Sequence, residues 1–79
     1  MILSYSERRR KLRIVTEYMC FLKPRELLAD YKDRAIVPGI CTNYFCDCII
    51  TVLCDEEAGW CPDCDTYTMQ SILIVAGVQ

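Results

Sequence analysis

The stretch Cys41-Thr-Asn-Tyr-Phe-Cys46, followed after residues 47–60 by Cys61-Pro-Asp-Cys64, decides the fold of this chain. A structural Zn²⁺ ion takes four soft ligands in a tetrahedron, and two cysteine pairs on short turns supply them. Pro62 fixes one backbone angle after Cys61, which favours a tight turn with both sulfur atoms on the same side. The sequence contains no histidine. We therefore predict one structural zinc ion with an all-cysteine shell: Cys41, Cys46, Cys61 and Cys64.

A chain of 79 residues is short enough to need a staple besides its hydrophobic core. Its seven cysteines can form disulfides or hold a metal. Their number is odd, and the start of the sequence leads into the basic run at Arg8 without the pattern of a secretory signal. We therefore expect a reducing, cytoplasmic compartment, where clustered cysteines bind metal, with disulfides and an iron–sulfur centre as the alternatives.

Charge divides the chain into a basic part and an acidic part. All nine lysine and arginine residues lie within residues 1–34, whereas six of the eleven acidic residues follow Cys46. The first cations cluster near the start of a predicted helix, where the helix dipole disfavours them. They form either a solvated face or a patch that contacts anions or nucleic acid. The residues concerned are Arg8, Arg9, Arg10, Lys11 and Arg13.

Helical periodicity predicts two helices in the basic part. Apolar residues recur at helical spacing from Ser6 to Leu22, with Ser4 or Ser6 available as the N-terminal cap. Pro24 suits the first position of a second helix that ends near Lys32 and folds back on the first. The apolar stripe of the first helix comprises Leu12, Val15, Met19 and Leu22, widened by Ile14, Tyr18 and Phe21.

The remainder is predicted to be a β-rich module. Pro38 and Gly39 break both helix and sheet, so residues 35–40 are interpreted as a connector. The β-branched run Ile49–Val52 favours a strand. The tail is either a short helix, which we favour, with Thr66 or Thr68 as its cap and Gly77 beyond its last turn, or a strand that pairs with residues 49–53. The predicted fold is a small metal-stabilised α+β protein: a helical segment over residues 1–34, the connector, and a zinc-ribbon or zinc-knuckle module over residues 41–79.

Several side chains near the predicted metal site have other expected roles. Gly59 is expected to take a left-handed conformation, and Trp60 to pack against the metal turn rather than stack on a ligand. Cys20 and Cys54 are interpreted as buried small apolar side chains. Cys48 is a buried spectator, an alternative metal ligand or a redox-sensitive thiol.

Three motifs carry a resemblance to a known family. They are Cys41-Thr-Asn-x-x-Cys46-Asp, then Gly59-Trp60-Cys61-x-x-Cys64-x-Thr-x-Thr, and then Ser71-x-Leu-x-x-Ala-Gly77. Together they resemble very short, uncharacterised zinc-ribbon-like proteins of bacteria and their phages, over residues 41–78. The resemblance implies a small metal-binding domain without assigned activity, located in the host cytoplasm if the chain is phage-encoded. Cys48 and Cys54 depart from the pattern, and the N-terminal helices lie outside it.

The sequence argues against catalysis and against a membrane span. Four cysteines close the coordination shell that a catalytic zinc keeps open for water, and without histidine there is no ready general base. The longest apolar run, Ile72–Val78, is too short to cross a bilayer. We expect a protein-interaction module that docks on a larger protein, since aromatic residues are spread along the chain. A nucleic-acid-binding role for the basic helix, as in transcription-associated zinc ribbons, is the alternative.

Overall fold

The computed structural model describes residues 3–78, which form three helices and one antiparallel sheet. The helices are α1 (Tyr5–Tyr18), α2 (Pro24–Tyr31) and α3 (Ile72–Ala76). The strands are β1 (Ile36–Cys41), β2 (Ile49–Leu53), β3 (Gly59–Cys61) and β4 (Thr66–Ser71), in the order β2-β1-β4-β3. The predicted α+β class with a helical start is confirmed. Residues 1–2 and 79 of the predicted segments lie outside the described residues.

Both N-terminal helices begin as predicted. The hydroxyl of Ser4 accepts a hydrogen bond from the backbone N–H of Glu7, which caps α1. Pro24 occupies the first turn of α2, where its missing N–H is not needed. Leu27 of α2 is buried in the core against α1, as the folding back of this helix predicts.

α1 ends earlier than predicted because the backbone reverses at Cys20. The N–H groups of Cys20 and Phe21 donate to the carbonyls of Glu17 and Thr16, which closes the helix in a Schellman arrangement. Cys20 takes the left-handed conformation of that motif, with φ of 65°. The predicted continuation to Leu22 is therefore wrong, and that side chain is 90% exposed instead of lying on the apolar stripe.

The predicted connector at residues 35–40 is wrong, because these residues belong to β1 at the centre of the sheet. β1 pairs with β2 from Ile36 to Ile40 and with β4 from Gly39 to Cys41. β1 therefore has a neighbour on each side and is one of the two inner strands of the sheet.

Pro38 and Gly39 fit this inner strand for separate reasons. In β1 the N–H groups alternate sides: Cys41 donates to Cys48 next to β2, and Thr42 donates to the β4 side. The nitrogen of Pro38 therefore faces the β4 side, one residue before the pairing with β4 begins, so no ladder bond is lost. At Gly39 a Cβ atom would lie 2.6 Å from Cγ2 of Val52. Only glycine leaves room for that contact.

The tail is both a strand and a helix. Residues up to Ser71 form β4, which pairs with β1 and β3 rather than with the predicted residues 49–53. The hydroxyl of Ser71 then caps α3 by accepting from the N–H groups of Leu73 and Ile74. The expected cap at Thr66 or Thr68 is thus wrong, whereas Gly77 ends the helix in a left-handed conformation as predicted.

Two buried clusters hold the elements together. The larger one comprises Val15, Leu27, Val37, Ile40, Ile72, Leu73 and Val75. The smaller one comprises Cys41, Cys46, Cys61 and Met69. Val52 packs against both clusters. The helical segment and the cysteine-bearing sheet therefore share one interior. None of the helices within residues 3–78 is long and apolar enough to cross a membrane.

Candidate metal centre

The four predicted ligands come together at one point. The Sγ atoms of Cys41, Cys46, Cys61 and Cys64 all lie within 4.8 Å of one another. Cys41 is 3.7 Å from Cys64, and Cys46 is 3.8 Å from Cys61. These separations are far longer than the roughly 2.05 Å of a disulfide bond. The cluster can hold a metal ion.

The topology explains why these four sulfur atoms meet. Cys41 ends the central strand β1, and Cys61 ends β3 at the opposite side of β4. Cys46 lies in the loop after β1, and Cys64 lies in the turn between β3 and β4. The Cys41–Cys64 and Cys46–Cys61 contacts each join the segment at the end of β1 to the segment at the end of β3. An ion at the centre would therefore tie these two segments together.

The backbone donates to the sulfur atoms. Burial raises the pKa of Cys46 to about 12, against a hydrogen bond from the backbone of Cys48. Burial acts in the same direction on Cys61, but backbone hydrogen bonds from Cys64 and Asp63 and the Cys41 thiol lower the pKa of Cys61 to about 7. These bonds favour thiolates, which are the form that binds a metal.

Thr68 supports the same cluster from β4. Gly59 pairs with Met69 and Trp60 pairs with Tyr67, so Thr68 is an extra residue in the register between β3 and β4. Its hydroxyl lies 3.1 Å from Sγ of Cys41, opposing the burial that raises the pKa of that thiol. Toward a thiolate the hydroxyl is the donor. The bulge thus places a polar contact on a metal-ligating atom.

Lys11 holds the loop that carries Cys46, and it is not a surface cation. Its side chain is 0% exposed. Nζ donates to the backbone carbonyls of Asn43 and Cys46 and to Oδ1 of Asp47, at 2.6 Å for Asn43 and 2.9 Å for Asp47. An ammonium group has three donors, and all of them are used. No sequence pattern indicates this contact, because Lys11 lies within a run of cations that are expected to be exposed.

Arg10 secures the same loop from outside. Its guanidinium group donates to Glu7 at 3.1 Å and to the backbone carbonyl of Tyr44 at 2.7 Å, and it lies 3.5 Å from Oδ2 of Asp47. Burial raises the pKa of Asp47, but Lys11 and Arg10 outweigh it, so the pKa is lowered overall. The loop is therefore fixed to α1 by two cations.

The other members of the basic run are divided between packing and solvent. Arg8 donates from Nε to the carbonyl of Val75 at 2.9 Å, near the end of α3, where a cation suits the helix dipole. The guanidinium group of Arg9 lies 5.6 Å from the centre of the Tyr5 ring. Arg9 and Arg13 are exposed, and among residues 3–78 neither has a carboxylate partner. These two are the basic residues still available to a ligand.

The remaining predicted side chains have mixed outcomes. Cys48 and Cys54 are half-buried against the two clusters, whereas Cys20 is exposed, so its predicted burial is wrong. Gly59 lies in β3 and does not take the expected left-handed conformation. Trp60 is 43% exposed and packs edge-on against Tyr67, with ring centres 5.0 Å apart.

No protein-family model, no curated protein and no solved structure matches this chain. The candidate metal centre is therefore inferred from the geometry of its four cysteines. The resemblance to short zinc-ribbon-like proteins of bacteria and phages therefore stays a prediction.

Proposed function

We propose that the chain is a non-enzymatic protein-interaction module, stapled by one structural zinc ion, that docks on a larger protein as a small subunit or a phage-type regulator or inhibitor. The observation that carries this proposal is the closed set of four cysteines. A tetrahedral ion with Zn–S bonds of about 2.3 Å would hold its sulfur atoms about 3.8 Å apart. The Cys41–Cys64 and Cys46–Cys61 separations, 3.7 and 3.8 Å, match that spacing.

The same geometry argues against catalysis. A catalytic zinc ion leaves one position for water or substrate, whereas four thiolates fill the tetrahedron. Four cysteines supply all four positions, and Thr68 and the backbone donate hydrogen bonds to their sulfur atoms. We therefore assign the ion to folding.

Exposed aromatic residues support a role in docking. Tyr44 and Phe45 lie at the tip of the loop between Cys41 and Cys46 and are 73% and 84% exposed. Aromatic side chains are enriched at protein interfaces, and they lose little entropy there when the supporting backbone is rigid. Lys11 and the metal ligands fix the backbone on both sides of this tip.

The experiment is metal-dependent capture of a partner. Tagged protein is purified from the cell that encodes it, and we expect one zinc per chain by elemental analysis together with a stoichiometric larger protein. A chelator, or the variant Cys61→Ser, should release both. The matched control is Cys20→Ser, which changes an exposed thiol and should retain both. Zinc bound without any specific partner, or a partner retained after metal loss, would contradict the proposal.

Nucleic-acid binding is the second candidate, and the free guanidinium groups of Arg9 and Arg13 favour it. Against it, Arg8, Arg10 and Lys11 are engaged within the protein, and the net charge of the chain is −2. Titrations of mixed-sequence RNA and DNA at several salt concentrations distinguish the two functions. Tight binding with a steep salt dependence that disappears in Arg9→Ala/Arg13→Ala would favour nucleic acid.

A further inference from the structure

A groove runs along the outer face of α1, on a side of the helix that the metal centre does not use. Its volume is about 720 Å³. Arg9, Arg10 and Arg13 line it along the helix, and Leu22 and Pro24 line it beyond the end of α1. One carboxylate, Glu17, also lines it, so the groove combines a wall of three arginines and one glutamate with an apolar end.

The basic wall presents two charges with a defined spacing. Arg9 and Arg13 are four residues apart on α1, so their side chains lie one above the other on the helix surface. The guanidinium group of Arg9 stacks on the Tyr5 ring, which leaves the N–H donors at its edge free. Planar donors of this kind match carboxylates. Arg10 adds little charge, because Glu7 and Asp47 already pair with it.

At the apolar end of the groove, a large apolar side chain lies in solvent. Leu22 is 90% exposed, although it lies next to the groove with Pro24. Leu12 lines the same groove and packs on the core from its other side. A partner side chain placed between Leu12 and Leu22 would remove apolar surface from water on both.

The helix that forms the groove is anchored to the rest of the protein. Lys11 lies on this helix and bonds to Asn43 and Asp47 of the loop that carries Cys46, here called the metal loop. Arg10 connects the groove to Tyr44, whose ring lies 5.2 Å below the guanidinium carbon. The surface is thus preorganised, which lowers the entropic cost of binding.

We propose that this groove binds an acidic amphipathic helix of the partner protein, with two carboxylates on Arg9 and Arg13 and one large apolar side chain between Leu12 and Leu22. The inference rests on the proposed docking function and names its surface. Charge complementarity selects an acidic segment. The two free arginines of the groove are too few for nucleic acid, since each phosphate contact supplies only about one unit of salt dependence.

The probe is a displayed library of random peptides, selected against the zinc-loaded protein. We expect the enriched peptides to share two acidic residues one helical turn apart and a large apolar residue on the same face. In Arg9→Glu/Arg13→Glu the affinity of these peptides should fall about tenfold or more. The control Arg25→Glu/Lys32→Glu makes the same charge change at two exposed positions, one on α2 and one directly after it, and should bind as before. Zinc content and the circular dichroism spectrum verify that each variant is folded.

Other outcomes overturn the inference in distinguishable ways. Enriched peptides without acidic residues, or peptides indifferent to Arg9 and Arg13, would reject the groove and leave the docking function standing. Failure to enrich any peptide, combined with binding of mixed-sequence single-stranded DNA, would reject both. If no peptide is enriched and single-stranded DNA does not bind either, the groove is rejected and the docking function stands.

Discussion

At the scale of single residues, Lys11 connects α1 to the loop that carries Cys46. A fully buried ammonium group is stable only when its charge and donors are matched, and here two carbonyl groups and the Asp47 carboxylate match them. The basic run that contains Lys11 thus has a structural purpose at three of its five positions, while Arg9 and Arg13 stay in solvent.

We predict that Lys11→Met lowers the free energy of unfolding by about 2–4 kcal/mol, because the carbonyl groups of Asn43 and Cys46 lose their donor inside the protein. Urea denaturation of the zinc-loaded protein measures the change. Arg13→Met is the control, since it makes the same substitution at an exposed position of α1 and should change stability by less than about 0.5 kcal/mol. Equal midpoints for the two variants would show that the Lys11 contact is unimportant.

Cys20 is a second residue whose role is conformational. Its left-handed backbone at the end of α1 costs a side-chain-bearing residue about 1 kcal/mol, which glycine does not incur. We predict that Cys20→Gly raises the melting temperature, whereas Cys20→Ala leaves it unchanged. Thermal unfolding followed by circular dichroism checks the pair. A lower melting temperature for the glycine variant would mean that the thiol itself contributes packing.

At the scale of elements, β1 depends on close approach of its neighbours at Gly39. A Cβ atom there would meet Val52 at 2.6 Å and the carbonyl oxygen of Gln70 at 3.0 Å. We predict that Gly39→Ala destabilises the protein by about 1–3 kcal/mol, as overpacking does in other cores. Adding Val52→Ala should recover part of the loss, and a double-mutant cycle measures the coupling. If the changes in unfolding free energy of the two substitutions simply add, Val52 is not the residue that the Cβ atom added by Gly39→Ala would clash with.

Besides its cysteines, the smaller buried cluster has one fully buried side chain, Met69. We predict that chelation, or Cys61→Ser, unfolds β3 and β4, because structural zinc contributes on the order of 10 kcal/mol to folding in small zinc domains. Loss of dispersed amide signals in an NMR spectrum reports the unfolding. A spectrum that stays dispersed after complete metal removal would show that the sheet supports itself.

At the scale of the whole molecule, the helices and the sheet share one interior, so they should unfold together. Val15 of α1 and Leu27 of α2 lie in the same cluster as Val37 and Ile72. We predict that Trp60 fluorescence in β3 and helical circular dichroism follow the same denaturation curve, also when metal is withdrawn. Two separate transitions would mean that the helical segment folds independently of the metal module.

The sequence predicts the four-cysteine cluster and the two N-terminal helices because both depend on local patterns. Cysteine spacing defines the candidate ligands, and the period of Leu12, Val15 and Met19 defines α1. It failed at Pro38 and Gly39, since their acceptance in an inner strand depends on where β4 ends and on the position of Val52. It also failed at Lys11, because burial of a charge depends on carbonyl groups contributed from a distant loop. Long-range partners, which no local pattern encodes, account for these misses.

Because Lys11 is buried, its chemical reactivity can report how often the protein opens locally. The chain has only two other lysines, Lys23 and Lys32, and both side chains lie in solvent. An amine-reactive label should therefore modify those two within the mixing time, and should reach Lys11 only during the brief intervals when α1 separates from the metal loop. The rate at which mass spectrometry detects the third labelled lysine would then report how often that contact breaks in the native protein.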